Sequence, residues 1–396
     1  MNINATKKYL LLILALALTM LVQATPTTTP SLFKKYPTLK KKIGYVNLGN
    51  FPTRIKKLET LGALLGCNNL YMKMDNESGT LFGGNKVRKL EFLLGSALFG
   101  GAKGVVTWGY AGSNQTCATA AYCNKLGLKC ICMHLAQLPT LYAQRNLLLS
   151  HHYGAELNFY RGSAERELDM YEKNRAFKKE TGDVLYFVPS GGSNELGTLG
   201  FVNAALELKE QIQQGVMPEP DFIYVAIGSC ATTAGLMLGA KIAGLKTTIV
   251  PICIEAEDFP EQHVKKTVTL YNSTSDILRK YAPTFPELTL EPSDIQINHA
   301  FAGPGYAMIT PETRDAIKIL QQAEDVKLDG SYAGKACAAM MHDIAHKKIQ
   351  DKTILFWNSF CSGNFADIIG NSDYKALPKE YHLYFEVPMQ EDDQGV

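Results

Sequence analysis

A lysine that follows a glycine-rich turn is the first chemical signal in this sequence. The stretch LFGGNKVRKLEFLL (81–94) places Lys86 directly after Gly83-Gly84-Asn85, at the head of an apolar-periodic run. Glycines let the backbone approach another group closely, and the first amides of a helix have no partner within it. An amine at this position can act as a nucleophile. The alternative is that Lys86 only solvates an amphipathic helix, and Lys89, with no glycine turn before it, is the competing amine.

Three further turns are rich in glycine and hydroxyl residues, namely GYAGSNQT (109–116), PSGGSN (189–194) and AIGSCATTAG (226–235). The last follows a hydrophobic run and enters a helix-like run, which offers backbone amides and a positive helix end to a phosphate. It matches neither GxGxxG nor GxxxxGK[ST], so a dinucleotide fingerprint and a P-loop are both unsupported. A nucleophilic lysine with a separate phosphate cup is the pair of features that a pyridoxal phosphate (PLP) enzyme needs.

Strand-like and helix-like runs alternate from Asn69 onward. The strand-like runs include NLYMKMD, GVVTWG, KCICMHL, AELNFY, VLYFVPSGG, DFIYVAIGS, TTIVPICIEA and KTILFWNS, and amphipathic helix-like runs separate them. This alternation predicts an α/β fold of parallel sheets flanked by helices. Ligands of such sheets bind where strands end and helices begin, so we expect the glycine-rich turns to meet at one site.

Composition limits the possible functions. With 396 residues and 46% hydrophobic residues, the chain is long enough for two globular domains. A net charge of +2, without a basic stripe interleaved with aromatic residues, argues against nucleic acid as a partner.

The nine cysteines lack CxxC spacing and resemble neither a disulfide framework nor a zinc site. HDIAH (342–346) lacks a third ligand and the glutamate of a zinc protease, so no metal site is predicted.

The N-terminus predicts export. Residues 7–24 combine two lysines, an apolar run and a small residue at the end, which is typical of a secretory signal peptide (1–24) cleaved just after Ala24. The run is too short for a comfortable membrane span, and an uncleaved anchor is the alternative that would bring the protein to a membrane. We expect a periplasmic or secreted protein, or a cytoplasmic one if this segment is not a signal. Residues 25–45, rich in Pro and Thr and then basic, predict a solvated linker.

The chain resembles the D-cysteine desulfhydrase and 1-aminocyclopropane-1-carboxylate (ACC) deaminase family of PLP enzymes. The resemblance runs from about Val46 to about Ile369 and rests on FGGNKVRKLEFLL, GSNQT, PSGGSNELGTLGFVNAALE, GPGYAM and LDGSYAGKA. It implies a two-domain fold like that of tryptophan synthase β chains, PLP fold type II, and a homodimer. The large PLP-binding domain would comprise 46–99 and 196–385 and the small domain 100–195, followed by a tail over 386–396.

The resemblance also implies roles for individual residues. Lys86, preceded by Asn85, resembles the lysine that carries the cofactor, and Ser113 resembles a catalytic serine over the cofactor that also contacts substrate. Asn114 would bond the pyridine hydroxyl, and Gln115 would bind the substrate carboxylate. The remaining matches are the phosphate loop (Ser229, Cys230, Ala231 and Thr232), two catalytic tyrosines (Tyr306 and Tyr332), and Ser359, which would face the pyridine nitrogen.

The chain departs from the family pattern at four places. Cys230-Ala231 replaces glycines of the phosphate loop, and Cys117 replaces a basic residue after Ser-Asn-x-x. Residues 358–361, Asn-Ser-Phe-Cys, replace a His-Thr-Gly-Gly turn, and Ala333 replaces an acid or a threonine. These departures leave substrate choice less well determined than the fold.

The implied reaction is β-elimination from a small amino acid. We expect D-cysteine to give pyruvate, hydrogen sulfide and ammonia, with Lys86 as the base and Ser113 or a tyrosine as proton relay. Deamination of ACC is one alternative. The other is an exported binding protein that keeps the fold without turnover, as the departures at Cys117, Cys230 and Phe360 would allow.

Mature protein is expected to begin near Thr25 and to fractionate outside the cytosol, because the basic and apolar N-terminal segment directs export. N-terminal sequencing of the protein from fractionated cells measures this. An intact N-terminus on soluble cytosolic protein would refute the signal peptide.

Overall fold

The computed structural model of this protein describes residues 29–255 and 261–388. The predicted signal peptide over 1–24, residues 25–28 of the predicted linker and residues 389–396 of the predicted tail lie outside the described residues.

Two sheets organise the described part of the chain. Its strands are β1 (Ile55–Lys57), β2 (Leu70–Lys73), β3 (Gly104–Tyr110), β4 (Lys129–Leu135), β5 (Glu156–Tyr160), β6 (Tyr186–Val188), β7 (Phe222–Ile227), β8 (Thr248–Cys253) and β9 (Ile354–Trp357). One sheet has five strands in the order β1-β2-β9-β7-β8, parallel except for the antiparallel β1–β2 pair. The other has four parallel strands in the order β5-β4-β3-β6.

Helices cover both sheets. In the described residues they are α1 (Ser31–Lys35), α2 (Glu59–Leu65), α3 (Lys86–Phe99), α4 (Asn114–Leu126), α5 (Leu141–His152), α6 (Ser163–Thr181), α7 (Glu195–Gln213), α8 (Ala231–Ala243), α9 (Glu261–Tyr281), α10 (Pro311–Glu324), α11 (Ala333–His346), α12 (Ala366–Gly370) and α13 (Leu383–Glu386). Short polar side chains fix several helix starts. Ser113, Thr140 and Asn194 each accept a backbone amide in the first turn of α4, α5 and α7.

The predicted α/β fold of parallel sheets flanked by helices is confirmed. Each predicted strand-like run contains a strand, and β2 and β9 are buried along their whole length, as strands covered on both faces must be. The sequence analysis did not predict β1 or the helices α1, α2, α9, α12 and α13. β1 has only three residues, too few to show an alternating pattern.

Residues 31–45 correct the expectation of a solvated linker. Leu32, Phe33 and Leu39 are buried in a core shared with α7 and α8, and the Leu32 amide donates to Asn203 Oδ1 at 2.9 Å. The lysines that suggested a linker lie on the outer side, while the apolar residues between them pack inward. This segment therefore belongs to the folded body.

The division into a large and a small domain remains a prediction. From Ser31 onward the described residues form one compact unit, and the four-stranded sheet lies within 100–195. Near the end of the predicted large domain, Tyr381 and Tyr384 pack in the core beside α4 and α5. The Tyr381 hydroxyl lies 2.9 Å from His134 Nδ1 on β4, so this part of 196–385 contacts the four-stranded sheet.

Four charged side chains, Lys73, Asp75, Arg88 and Glu207, form a buried ionic cluster beneath α3. Arg88 donates to both carboxylates of the cluster, at 2.7 and 2.8 Å to Asp75 and 2.9 Å to Glu207. Lys73 Nζ donates to Glu207 at 2.6 Å. Burial raises the pKa of Glu207, but Arg88 and Lys73 outweigh it and lower that pKa to about 2. Glu207 is therefore ionised at neutral pH, and the four side chains satisfy one another's hydrogen bonds.

The ionic cluster also holds the ends of two site-forming segments. The carbonyl of Asp75 accepts the Gly84 amide at 2.9 Å, which fixes the turn before Lys86. Asp75 Oδ2 accepts the Trp357 indole N–H at 2.7 Å, which fixes the end of β9. One carboxylate residue therefore ties the lysine turn to the neighbouring strand end.

Arg88→Met is expected to lower the free energy of unfolding by about 3–5 kcal/mol, because it leaves the Asp75 and Glu207 carboxylates buried without their main partner. Urea denaturation measures the loss. Arg54, whose ion pair with Glu77 is exposed, is the matched control, and Arg54→Met should cost less than about 1 kcal/mol. Equal losses in the two variants would show that the ionic cluster does not hold the fold.

Candidate active site

A cavity of about 320 Å³ opens where strands of both sheets end. β3 ends there at Tyr110 and β7 at Ile227, in keeping with the carboxyl-end location of ligands in parallel sheets. The structure brings together on this cavity every predicted site residue except Ala231, namely Asn85, Lys86, Ser113, Asn114, Gln115, Ser229, Cys230, Thr232, Tyr306, Tyr332 and Ser359.

The turn before Lys86 depends on a glycine that approaches another loop closely. Gly84 has a φ of 82°, and a Cβ there would lie 2.8 Å from the carbonyl oxygen of Ser359. The Asn85 amide donates to the same oxygen at 3.1 Å. Lys86 follows as the first residue of α3, with its side chain on the cavity. The lysine is thus fixed relative to the loop after β9.

Of the two candidate lysines, Lys86 is the one that lines the cavity, and burial lowers the pKa of both. The pKa of Lys86 falls to about 8, although the Asp329 carboxylate on the same cavity opposes the shift. Compared with an ordinary lysine, pKa roughly 10.4, a far larger fraction of Lys86 is neutral at neutral pH. Lys89 does not line the cavity, because it is buried and its Nζ donates to the carbonyl of Gly191 at 3.0 Å.

One end of the cavity is suited to an anion. α8 begins there, and Thr232 and Thr233 of its first turn line the cavity. Thr233 Oγ1 is buried with no hydrogen-bond partner among the described residues. Across the cavity Gly191 has a φ of 63°, and a Cβ there would lie 2.0 Å from Ser229 Oγ. A phosphate would satisfy the orphaned hydroxyl and complement the helix end.

Cys230 holds a conformation that usually requires glycine. Its φ is 74°, which costs a non-glycine residue about 1–3 kcal/mol, and its Sγ turns to the carbonyl of Gly228 at 3.3 Å. Ala231 is the one predicted site residue that does not line the cavity, and its amide donates to the carbonyl of Ser229 at 3.1 Å. Its contact with a phosphate stays a prediction.

Ser113 and Asn114 lie at the start of α4. Ser113 Oγ accepts the Gln115 amide at 3.2 Å and caps the helix. Asn114 Oδ1 accepts from Asn146 Nδ2 at 2.9 Å and from Arg145 at 3.3 Å, so its side-chain N–H groups remain as the donors for a ligand oxygen.

Gln115 was predicted to bind a substrate carboxylate. It borders the cavity, but its side chain is buried and Nε2 donates to Thr119 Oγ1 at 3.1 Å. Its Oε1 lies so near Gly192 that a Cβ on that glycine would come within 2.8 Å. The side-chain amide therefore spends one N–H inside the fold, and its contact with a substrate carboxylate stays a prediction.

Arg145 supplies the positive charge that Cys117 does not. Its guanidinium lies 5.7 Å from the centre of the Phe360 ring. Burial raises the pKa of the Cys117 thiol to about 12, and Arg145 opposes that shift. Arg145 of α5 therefore places a positive charge near Cys117, the position of α4 at which the family has a basic residue.

Tyr306 and Tyr332 share a hydrogen bond between their hydroxyls. Burial raises the pKa of each phenol well above 10, so both are protonated at neutral pH. The Asp329 carboxylate accepts the backbone amides of Ser331 and Ala333 at 3.0 and 3.2 Å, which fixes the start of α11 directly after Tyr332. The tyrosine pair is therefore a positioned source of protons.

The cavity contains acids that the sequence analysis did not find. Ala333 is buried and does not line it, whereas Asp329 and Glu255 do. Burial raises the pKa of Asp329, and the backbone amides it accepts oppose this. Asp329 lies in the quoted motif LDGSYAGKA, and its position just before a helix start was the available signal.

The turn of residues 358–361 after β9 packs without filling the cavity. Cys361 is buried, and its Sγ accepts the Gly83 amide at 3.1 Å. Ser359 keeps its place on the cavity. The departure from the His-Thr-Gly-Gly pattern therefore supports the lysine turn.

Two aromatic residues on the cavity were also missed. Trp108 and Tyr110 lie on β3, two residues apart, and both line it. Successive side chains of a strand point to opposite faces, so two aromatic residues two positions apart at the end of a predicted strand could have indicated them. Lys266 of α9 lines the cavity from an element that was not predicted.

Residues 29–255 and 261–388 place no three His, Cys, Asp or Glu side chains so that they could hold a metal ion. Within the same ranges, every helix is too short or too polar to span a bilayer.

Comparisons with known proteins agree with this site. Residues 46–359 match the family described as pyridoxal-phosphate dependent enzyme. A D-cysteine desulfhydrase of Klebsiella pneumoniae is 31% identical over 313 residues, 77% of this chain and 90% of that protein. A putative ACC deaminase of Pyrococcus horikoshii is 32% identical over 329 residues, 83% and 95% of the two chains. The crystal structure of an ACC deaminase homologue has a TM-score of 0.71 at 30% identity and covers 86% of this chain and 99% of its own.

The residues present fit the cofactor of that family. The Lys86 amine suits an aldehyde, and the Thr233 hydroxyl at the start of α8 suits a phosphate. With the motifs, the cavity and these relatives in agreement, the chain belongs to the family of pyridoxal-phosphate-dependent enzymes, related to D-cysteine desulfhydrases and ACC deaminases, and has their type II fold.

Proposed function

We propose that the protein eliminates the thiol of D-cysteine to give pyruvate, hydrogen sulfide and ammonia. The observation that carries this proposal is the cavity itself, which sets the low-pKa amine of Lys86 in the same small space as the Tyr306–Tyr332 pair. At about 320 Å³ it lies at the small end of ligand pockets, which favours a small amino acid beside the cofactor. D-cysteine desulfhydrases among the relatives support the same choice.

Several residues of this chain would hold PLP, which supplies an electron sink for charge at the substrate Cα when bound. Thr232, Thr233 and the α8 amides would bind the phosphate. The Asn114 N–H groups would donate to the ring hydroxyl, and Ser359 would lie beside the ring nitrogen.

Lys86 and the tyrosine pair divide the proton transfers. Lys86 Nζ would take the Cα proton as a neutral base, which its lowered pKa favours. The bond from Cβ to sulfur would then break, and the leaving sulfur would be protonated through the hydrogen-bonded Tyr306–Tyr332 pair, which stays protonated because its pKa values are raised and which regains its proton from Lys86. Water hydrolyses the remaining enamine carbon skeleton to pyruvate and ammonia.

The surroundings of the ring nitrogen favour thiol elimination over cyclopropane opening. The Ser359 hydroxyl can hydrogen-bond a neutral nitrogen without protonating it, which leaves a weaker electron sink. A thiolate leaves readily, so a weak sink suffices. ACC deamination is the second candidate, favoured by Asp329 on the cavity and by the ACC deaminase relatives, but the Asp329 oxygens are occupied by backbone amides.

We also propose that the protein is exported and forms a homodimer. The N-terminal pattern of residues 7–24 supports export, and the sequence resemblance supports the dimer. The fold does not depend on disulfides, because all nine cysteines are buried and unbridged.

Lys86→Ala is expected to abolish the lysine adduct that borohydride traps after addition of PLP, whereas Lys89→Met keeps it at saturating PLP. Mass spectrometry of tryptic peptides locates the adduct. Because only the neutral amine attacks, and the pKa of Lys86 is lowered to about 8, the rate of adduct formation by the unaltered protein should rise as pH increases through about 8. An adduct mapped to Lys89 would reverse the assignment.

D-cysteine is expected to release sulfide, pyruvate and ammonia faster than ACC releases ammonia, because thiolate leaves more readily than a cyclopropane carbon. The assay uses cofactor-loaded protein and a panel of D- and L-amino acids. Tyr332→Phe removes one hydroxyl of the proton-donating pair and should lower kcat for D-cysteine by about 10²–10⁴-fold.

Faster ACC deamination than sulfide release would replace the desulfhydrase with the deaminase. No turnover of any amino acid by PLP-loaded protein would leave the non-catalytic binding protein as the surviving alternative.

A further inference from the structure

One wall of the cavity is aromatic and comes from the four-stranded sheet. Trp108 and Tyr110 are two residues apart on β3, so their side chains leave the same face of the strand, and both line the cavity. Leu135, opposite Tyr110 in the β3–β4 register, also lines it. None of these three residues takes part in the proton transfers proposed above.

Tyr110 stacks on a cavity residue from another segment of the chain. Its ring centroid lies 4.7 Å from that of Tyr306, with 29° between the ring planes. Tyr306 lies in the loop before α10, and its hydroxyl is bonded to Tyr332. The stack therefore joins the end of β3 to the tyrosine pair. Tyr110 is 41% exposed, which places it at the rim of the cavity.

Trp108 is held more tightly than Tyr110. The Arg166 guanidinium lies 3.8 Å from the centre of the indole ring, and Arg166 is itself buried. Such stacking fixes the indole as a permanent wall. Tyr110 has the Tyr306 ring on one face and solvent on its exposed side. The size of the opening therefore depends on the Tyr110 ring.

We propose that Tyr110 determines substrate size. Its ring, braced on Tyr306, closes the side-chain end of the cavity, so amino acids with a one-carbon side chain and a small β-substituent bind and those with an aromatic side chain do not. This inference rests on the proposed function only in taking an amino acid as the ligand of the PLP-loaded cavity. Shape is the basis of the selection, because the wall of Trp108, Tyr110 and Leu135 offers mostly apolar surface.

The test measures binding and not turnover. PLP-loaded protein is titrated with D-alanine and with D-phenylalanine, neither of which has a β leaving group, and the cofactor absorbance gives each Kd. The L-enantiomers are titrated in parallel. Unaltered protein should bind alanine at least about tenfold more tightly than phenylalanine, and Tyr110→Ala should reduce that ratio to within about threefold.

Two variants serve as controls. Tyr110→Phe keeps the ring and its stack and should keep the size preference. Tyr171→Ala removes a tyrosine that is 71% exposed on α6 and should leave both Kd values unchanged. Thermal melting confirms that Tyr110→Ala is folded.

A Tyr110→Ala protein that is folded and keeps the original Kd ratio overturns the inference, as does unaltered protein that binds neither amino acid. The two proposals fail separately. A shifted Kd ratio in a protein that releases no sulfide from D-cysteine would refute the desulfhydrase and retain the size selection by Tyr110.

Discussion

The buried pairing of Arg88 with Asp75 and Glu207 is the constraint on which the site depends. Charges removed from water are tolerated only when each is matched in geometry and hydrogen bonding, and a guanidinium can serve two carboxylates at once. Because Lys73 completes the ionic cluster, moving any one of its members would leave another buried charge unpaired. The cluster therefore fixes β2, α3 and α7 relative to one another, which hydrophobic contacts alone specify less sharply.

The ionic cluster fixes Lys86 and Ser359 through a few direct contacts. Arg88 lies two residues after Lys86 on α3, so a fixed Arg88 fixes the first turn of that helix. Asp75 binds the Gly84 amide and the Trp357 indole, and Gly84 lies against the carbonyl of Ser359. The nucleophilic amine and the Ser359 hydroxyl are thereby held in register without sharing a direct bond. Preorganisation of this kind is what positions reacting groups before substrate arrives.

The sequence was sufficient for features that depend on local pattern. Apolar runs of strand length predicted the parallel sheets, and the glycine turn before Lys86 predicted an amine that faces a ligand. Contacts between residues far apart in the sequence could not be predicted, because no local pattern links Arg88 to Glu207 or Tyr110 to Tyr306. The linker prediction was wrong over 31–45 for a related reason, since proline, threonine and lysine mask the few apolar residues, such as Leu32, that α7 buries.

The phosphate loop shows how a departure from a family pattern can be absorbed. Glycine is favoured at a left-handed residue because a Cβ strains the backbone, and Cys230 retains that conformation at a cost of about 1–3 kcal/mol. Its Sγ donates to the carbonyls of Gly228 and His263, which holds the side chain in place beside the start of α8. Amides and hydroxyls are all that an anion site requires, and neither depends on the residue at 230 being glycine. The departure therefore bears on stability, while the choice of substrate is left to the aromatic wall and the tyrosine pair.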